Sequence, residues 1–175
     1  MTYGEDEEFT ALIQRQSRFV FRVAYAVLLN SHDAEDAVQE TFLKLYRNRG
    51  WQQLDNERAF LARVAWRVAI DRRSRSSWSG AATAGSNSIG DSPSSRPDPE
   101  QTMLQANQHA VVHSMIDALP EELRLPLMLS AFDELNSREI GRILGIPEGT
   151  VRTRLQRARL LLHQKLVTMQ ETRYA

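Results

Sequence analysis

Residues 136–159, NSREIGRILGIPEGTVRTRLQRAR, spell a helix, a tight turn and a second helix. Ser137 is suited to cap a short first helix whose Ile140, Ile143 and Leu144 share one face. Gly145 suits the turn, because a residue without Cβ reaches left-handed backbone angles at little cost. Pro147 and Glu148 fit the start of the second helix: proline has no N–H to leave unpaired there, and a carboxylate favours the positive end of the helix dipole. This is the layout of a helix-turn-helix, whose second helix enters the DNA major groove.

Successive helical residues turn by about 100°. Measured from Val151, the residues Leu155, Ala158 and Leu162 cluster into one buried stripe, whereas Gly149, Thr153, Gln156, Arg157 and Leu160 fall opposite. Arg152 and Arg159 flank one edge and Arg154 the other. Short polar groups with one arginine can reach base edges, and flanking arginines sit where a duplex presents phosphates. A merely solvated arginine-rich helix is the plainer alternative. The turn, the cap and the stripe together favour the groove-binding reading.

The chain has 175 residues, no cysteine and a formal net charge of zero. Disulfides and thiolate metal sites are excluded. No apolar run reaches membrane-spanning length, so no membrane insertion is expected. The N-terminus, MTYGEDEEF, has the wrong sign for a signal peptide, which favours the cytoplasm. The zero net charge hides a pattern. Residues 1–45 carry 4 basic and 8 acidic groups, residues 46–76 carry 8 and 3, residues 77–135 carry 2 and 8, and residues 136–175 carry 8 and 3. Two basic blocks suggest two contacts with nucleic acid, since phosphate contacts dominate affinity. The acidic blocks suit a protein partner.

Residues 74–99, rich in serine, glycine, alanine and proline, show no apolar period and read as a flexible linker of about 25 residues. The N-terminal half is helical by pattern. Phe9, Leu12, Ile13, Phe19, Val20, Val23, Ala24, Val27 and Leu28 recur at helical spacing. Residues 30–33 break the run and offer caps. A second helix over 33–47 is expected to bury Ala37, Val38, Phe42 and Leu45, leaving Asp36, Gln39, Glu40 and Leu43 largely on its other side. A third, over 57–75, carries Phe60, Leu61, Val64, Ala65, Val68 and Ile70, with Arg63, Arg67, Arg72, Arg73 and Arg75 exposed. Met128, Leu129 and Phe132 read as core. The predicted fold is all-α: two small helical domains joined by a flexible linker.

Both halves resemble one family. The stretch Gly149-Thr150-Val151-Arg152-Thr153-Arg154-Leu155-Gln156-Arg157-Ala158-Arg159, preceded by Leu119-Pro120, is similar to the last conserved region of bacterial RNA polymerase sigma factors of the extracytoplasmic-function (ECF) group, with Thr153 in place of the usual serine. DAEDAVQETF at 33–42 and FLARVAWRVAIDRR at 60–73 resemble the family's second region, with Phe60 for tryptophan and Arg67 for asparagine. The resemblance implies a promoter-specific initiation factor, a dissociable subunit of bacterial RNA polymerase. Residues 1–75 would form a region 2-like domain, 76–99 the linker and 100–175 a region 4-like helix-turn-helix domain.

By the same resemblance, Asp36, Gln39, Glu40 and Leu43 would dock on the coiled coil of the largest polymerase subunit, the C-terminal domain would meet the flap of the second-largest, and an anti-sigma factor is an expected partner. The −10 element would be opened and held by Trp51, Gln52, Asn56, Phe60, Arg63, Arg67, Arg72 and Arg73. Trp51 and Phe60 could equally be core. The −35 element would be read by Thr150, Arg152, Thr153, Arg154, Gln156, Arg157 and Arg159. No cofactor, metal or catalytic group is expected: His32, His109, His113 and His163 are scattered, and there is no phosphate loop or nucleophile elbow. The second reading is a stand-alone helix-turn-helix regulator, which would need a dimer interface.

Overall fold

The computed structural model describes residues 3–49, 51, 54–78, 110–132 and 134–174, and every regular element among them is an α-helix. In chain order these are α1 (Tyr3–Leu28), α2 (Ser31–Asn48), α3 (Glu57–Trp78), α4 (110–117), α5 (Glu121–Ala131), α6 (Ser137–Leu144) and α7 (Glu148–Tyr174). Helix α3 takes in the first three residues, 76–78, of the expected 76–99 linker. The rest of that linker, from residue 79, lies outside the described residues.

The first three helices form a bundle whose ends are set locally. Leu29 ends α1 in the left-handed region, φ 53°, and its N–H donates to the Tyr25 carbonyl at 2.8 Å. The Asn30 side chain caps α2 by accepting from the Asp33 N–H at 3.0 Å, so α2 starts two residues before its expected position. Ala34, Ala37, Phe42 and Leu45 of α2 are buried against Phe9, Leu12, Phe19, Val20, Val23, Ala24 and Val27 of α1 and Leu61, Ala62, Ala65, Val68 and Ala69 of α3. Val38 and Ile70, expected inside, are only partly buried at the edge of this core. At one end the ring of Phe9 meets Phe42 edge-on at 6.3 Å and Trp51 at 5.2 Å.

Helices α4 to α7 build the second unit. Asn136, rather than Ser137, is the cap of α6. Its side chain accepts from the N–H groups of Arg138 and Glu139, and the Glu139 carboxylate accepts in return from the Asn136 N–H, a reciprocal capping box. Gly145 ends α6 at φ 67°, as the turn demands. Gly141 has a different reason to be glycine: a Cβ there would lie 2.7 Å from the Ile146 carbonyl oxygen. Met128 and Leu129 are buried as expected, but Phe132 is not; it lies 43% exposed just past α5, stacked beside His113.

The two units share one continuous core, with α1 against α5 and α3 against α6. Gly141→Val should lower the thermal unfolding midpoint, because the backbone carbonyl it meets cannot step aside; overpacking of this kind costs about 1–3 kcal/mol. Gly149→Ala, with nothing within 4 Å of the added atom, should leave the midpoint unchanged or raise it. Circular dichroism melts check the pair; equal midpoints would show that the turn relaxes freely.

Candidate nucleic-acid interface

Helix α7 presents the face that its sequence foretold. Val151, Leu155 and Ala158 are buried, Leu162 is partly buried, and Gly149, Thr153, Gln156, Arg157 and Leu160 are exposed. Arg152 and Arg159 stand exposed at one flank. Arg154, at the other, is half-buried, 3.9 Å from the Glu122 carboxylate. Thr150 is half-buried, and the Thr153 hydroxyl donates back to the Gly149 carbonyl at 3.0 Å. Glu148 holds Arg152 by an ion pair one turn apart and lies 3.6 Å from Arg138, tying the first turn of α7 to α6.

On α2, Leu43 is 54% exposed, an apolar side chain held out of the core, and Gln39 is exposed beside it. Asp36 and Glu40 instead lean toward α3. Arg72 donates to Asp36 at 2.8 Å and to Glu40 at 3.3 Å, and Arg75 and Lys44 also reach Glu40, at 3.3 and 3.1 Å. The structure thus brings two residue sets together: the expected polymerase-docking carboxylates and the expected DNA-binding Arg72 form one network. Burial works against the Glu40 carboxylate, but the hydrogen bonds and charges of Lys44, Arg72 and Arg75 outweigh it and hold its pKa below the usual value.

The remaining −10 residues spread along the loop before α3 and along α3 itself. Trp51 and Phe60 are half-buried, packed on the core with a side still open, and Arg67 is exposed. Gln52 lies outside the described residues. Asn56 caps α3 by accepting from the Ala59 N–H at 2.9 Å, and its amide donates to Glu139 of α6 at 2.8 Å. Arg63 donates to the Arg142 carbonyl at 2.8 Å, and Arg73 pairs with Glu121.

Sequence reasoning overlooked Arg124, which is only 5% exposed. Its guanidinium donates to the carbonyls of Ala26 at 2.7 Å, Asp117 at 2.9 Å and Leu119 at 2.8 Å. The available signal was a lone arginine inside the apolar run LRLPLML. Beside it the Tyr25 hydroxyl donates to Asp117 at 3.1 Å, and burial, reinforced by that carboxylate, pushes the tyrosine pKa up to about 12.

Residues 12–79 match the family described as sigma-70 region 2, and residues 109–162 match sigma-70, region 4. The ECF RNA polymerase sigma factor SigW of Bacillus subtilis is 31% identical over 172 residues, spanning 93% of this chain and 91% of its own. The chain belongs to the ECF sigma factors of bacterial RNA polymerase. The ECF sigma factor SigE of Mycolicibacterium smegmatis is 32% identical over 158 residues, and there the match spans 89% of this chain but 60% of the relative. The sigma factor RpoE of Bartonella quintana, solved in complex with the anti-sigma factor NepR, shares the fold at a TM-score of 0.71 and 19% identity, covering 91% of this chain and 97% of that one. A sigma factor is a promoter-specific initiation factor rather than an enzyme, so the stand-alone regulator is not favoured. Among the described residues no helix is long and apolar enough to cross a membrane, and no cluster of possible metal ligands occurs.

Because the Glu40 pKa is depressed in the folded chain, its contribution to stability is present above the ordinary carboxylate value and is lost as pH falls through the folded value. Glu40→Gln should therefore melt below the wild type at neutral pH, with the gap closing only as the pH falls below the usual glutamate range. A gap independent of pH would show that the Lys44, Arg72 and Arg75 network contributes nothing.

Proposed function

We propose that this ECF sigma factor divides its work as follows. Residues 1–75 hold the polymerase core and the −10 element, residues 100–175 read the −35 element, and 76–99 link them. On α2, Leu43 is the apolar anchor of the polymerase dock, with Gln39, Asp36 and Glu40 giving register. Arg63, Arg67, Arg72 and Arg73 meet the promoter backbone. The open sides of Trp51 and Phe60, with Gln52 and Asn56, hold the exposed strand. On α7, Thr150, Thr153, Gln156 and Arg157 face base edges, whereas Arg152, Arg154 and Arg159 meet phosphates. The C-terminal unit also contacts the flap of the second-largest subunit. The chain acts in the cytoplasm, and an anti-sigma protein restrains it as NepR binds the Bartonella factor.

The observation that carries this reading is the rotation of α7. The buried Val151, Leu155 and Ala158 fix the helix on its own domain and leave Thr153, Gln156 and Arg157 facing outward. An arginine so placed can donate two hydrogen bonds to one guanine, worth about 1–3 kcal/mol of discrimination. Arg157→Ala should relax preference at one or two positions of the −35 element in a binding-site selection at fixed salt. Arg159→Ala should weaken all sequences alike and lower the salt dependence. An even loss of affinity from Arg157→Ala, with the selected sequence unchanged, would overturn the assigned rotation.

The dock has a separate test. Leu43→Glu alters no core packing, so it should weaken capture of core polymerase while leaving the melting midpoint in place. Capture at wild-type strength would remove Leu43 from the dock.

A further inference from the structure

We infer that Arg15 and Gln16 of α1 are positioning residues for −10 recognition, acting through Glu57 on the loop that precedes α3. The inference rests on the assignment of Trp51, Asn56 and Phe60 to the −10 face. Glu57 is the first residue of α3 and follows Asn56 directly. Arg15 takes both oxygens of its carboxylate, Nε donating to Oε1 at 3.2 Å and Nη2 to Oε2 at 2.7 Å. The Gln16 amide donates to Oε1 at 2.6 Å. A guanidinium that grips a carboxylate at two points fixes its direction as well as its distance. The hydrogen bonds from Arg15, against the effect of burial and with help from Gln16, hold the Glu57 carboxyl below the usual carboxylate range, so the brace is charged.

Packing explains neither side chain. Gln16 is 7% exposed, yet among the described residues its carbonyl oxygen is buried without a partner. Buried polar atoms are ordinarily paired. An apolar residue of similar shape would leave nothing unpaired, so the amide is there for the N–H it gives to Glu57. Arg15 is exposed, and exposed ion pairs stabilise a fold little. What the brace does is set the first turn of α3. Asn56 caps that turn, and its carbonyl accepts from the Phe60 N–H at 3.1 Å. Arg58, next to Glu57, lies over the Phe19 ring of α1 at 5.5 Å. Toward the other end of the loop, Trp51 rests on Phe9 of α1. Helix α1 therefore fixes the loop both at Trp51 and at the start of α3. A binding constellation tolerates only about 0.5 Å of misplacement, so a brace that touches no base still bears on base choice.

The test is runoff transcription with core polymerase and the whole chain, on a barcoded pool of templates randomised upstream of one start site. Sequencing the transcript barcodes gives the base preference at each upstream position. Arg15→Ala with Gln16→Leu should relax preference in the −10 element by about tenfold, the discrimination that one base contact carries. Preference in the −35 element should stay as in the wild type, and so should the melting midpoint. Arg15→Lys, which keeps the charge, should retain most of the −10 preference. Glu57→Gln, which keeps the shape and removes the charge, should move it as the double variant does. Val27→Ala, a cavity at the other end of α1, is the control for lost stability. It should give less transcript from every template with the preferences unchanged. A −10 preference untouched by the double variant, or relaxed as much by Val27→Ala, would overturn the positioning role and leave the proposed function intact. A wild type that enriches no −10 element would place the failure in the proposed function itself, and the inference would fall with it.

Discussion

One buried guanidinium holds the two halves of this molecule in register. Ala26 lies in the last turn of α1 and Asp117 is the final residue of α4, so their carbonyls lack partners within their own helices and carry the negative end of the helix dipoles. Arg124 satisfies both, and the Leu119 carbonyl besides, from a single side chain. Burial pushes its pKa down, yet an arginine starts so high that the charge persists. Without it each stranded carbonyl costs roughly 1–3 kcal/mol. The packing of α1 on α5, and with it the approach of α6 to α3, depends on this clamp.

The clamp decides which surfaces the chain shows. It leaves the outer face of α7 open, with Arg157 pointing away from the core, while turning the basic side of α3 toward α6. The helix-turn-helix is fixed by contacts of its own. Its entry is closed by the Asn136–Glu139 capping box, its turn by Gly145, and the close approach at Gly141 sets the spacing of its two helices.

The helices, the rotation of α7 and the exposed Leu43 were legible in the sequence because each rests on local periodicity and local caps. Boundaries erred where two caps competed: Asn136 rather than Ser137 caps α6, since its side-chain oxygen accepts from two N–H groups while its own N–H donates to the Glu139 carboxylate. Phe132 was misjudged because it follows the last turn of α5, where the helical period no longer fixes direction. Arg124 was missed because nothing in its own run names the carbonyls it meets, 98 residues away at Ala26. The same holds for Arg72, whose pairing with Asp36 and Glu40 on another helix no local pattern announces. Long-range polar contacts of this kind have no period to betray them.

The most direct measurement is runoff transcription, with purified core polymerase, this chain and a library of genomic fragments from its source. The account predicts transcripts that appear only when the chain is added and whose start sites share two upstream elements at a fixed separation. Initiation unaffected by the chain, together with tight, polymerase-independent binding of a dimer to one element, would contradict it.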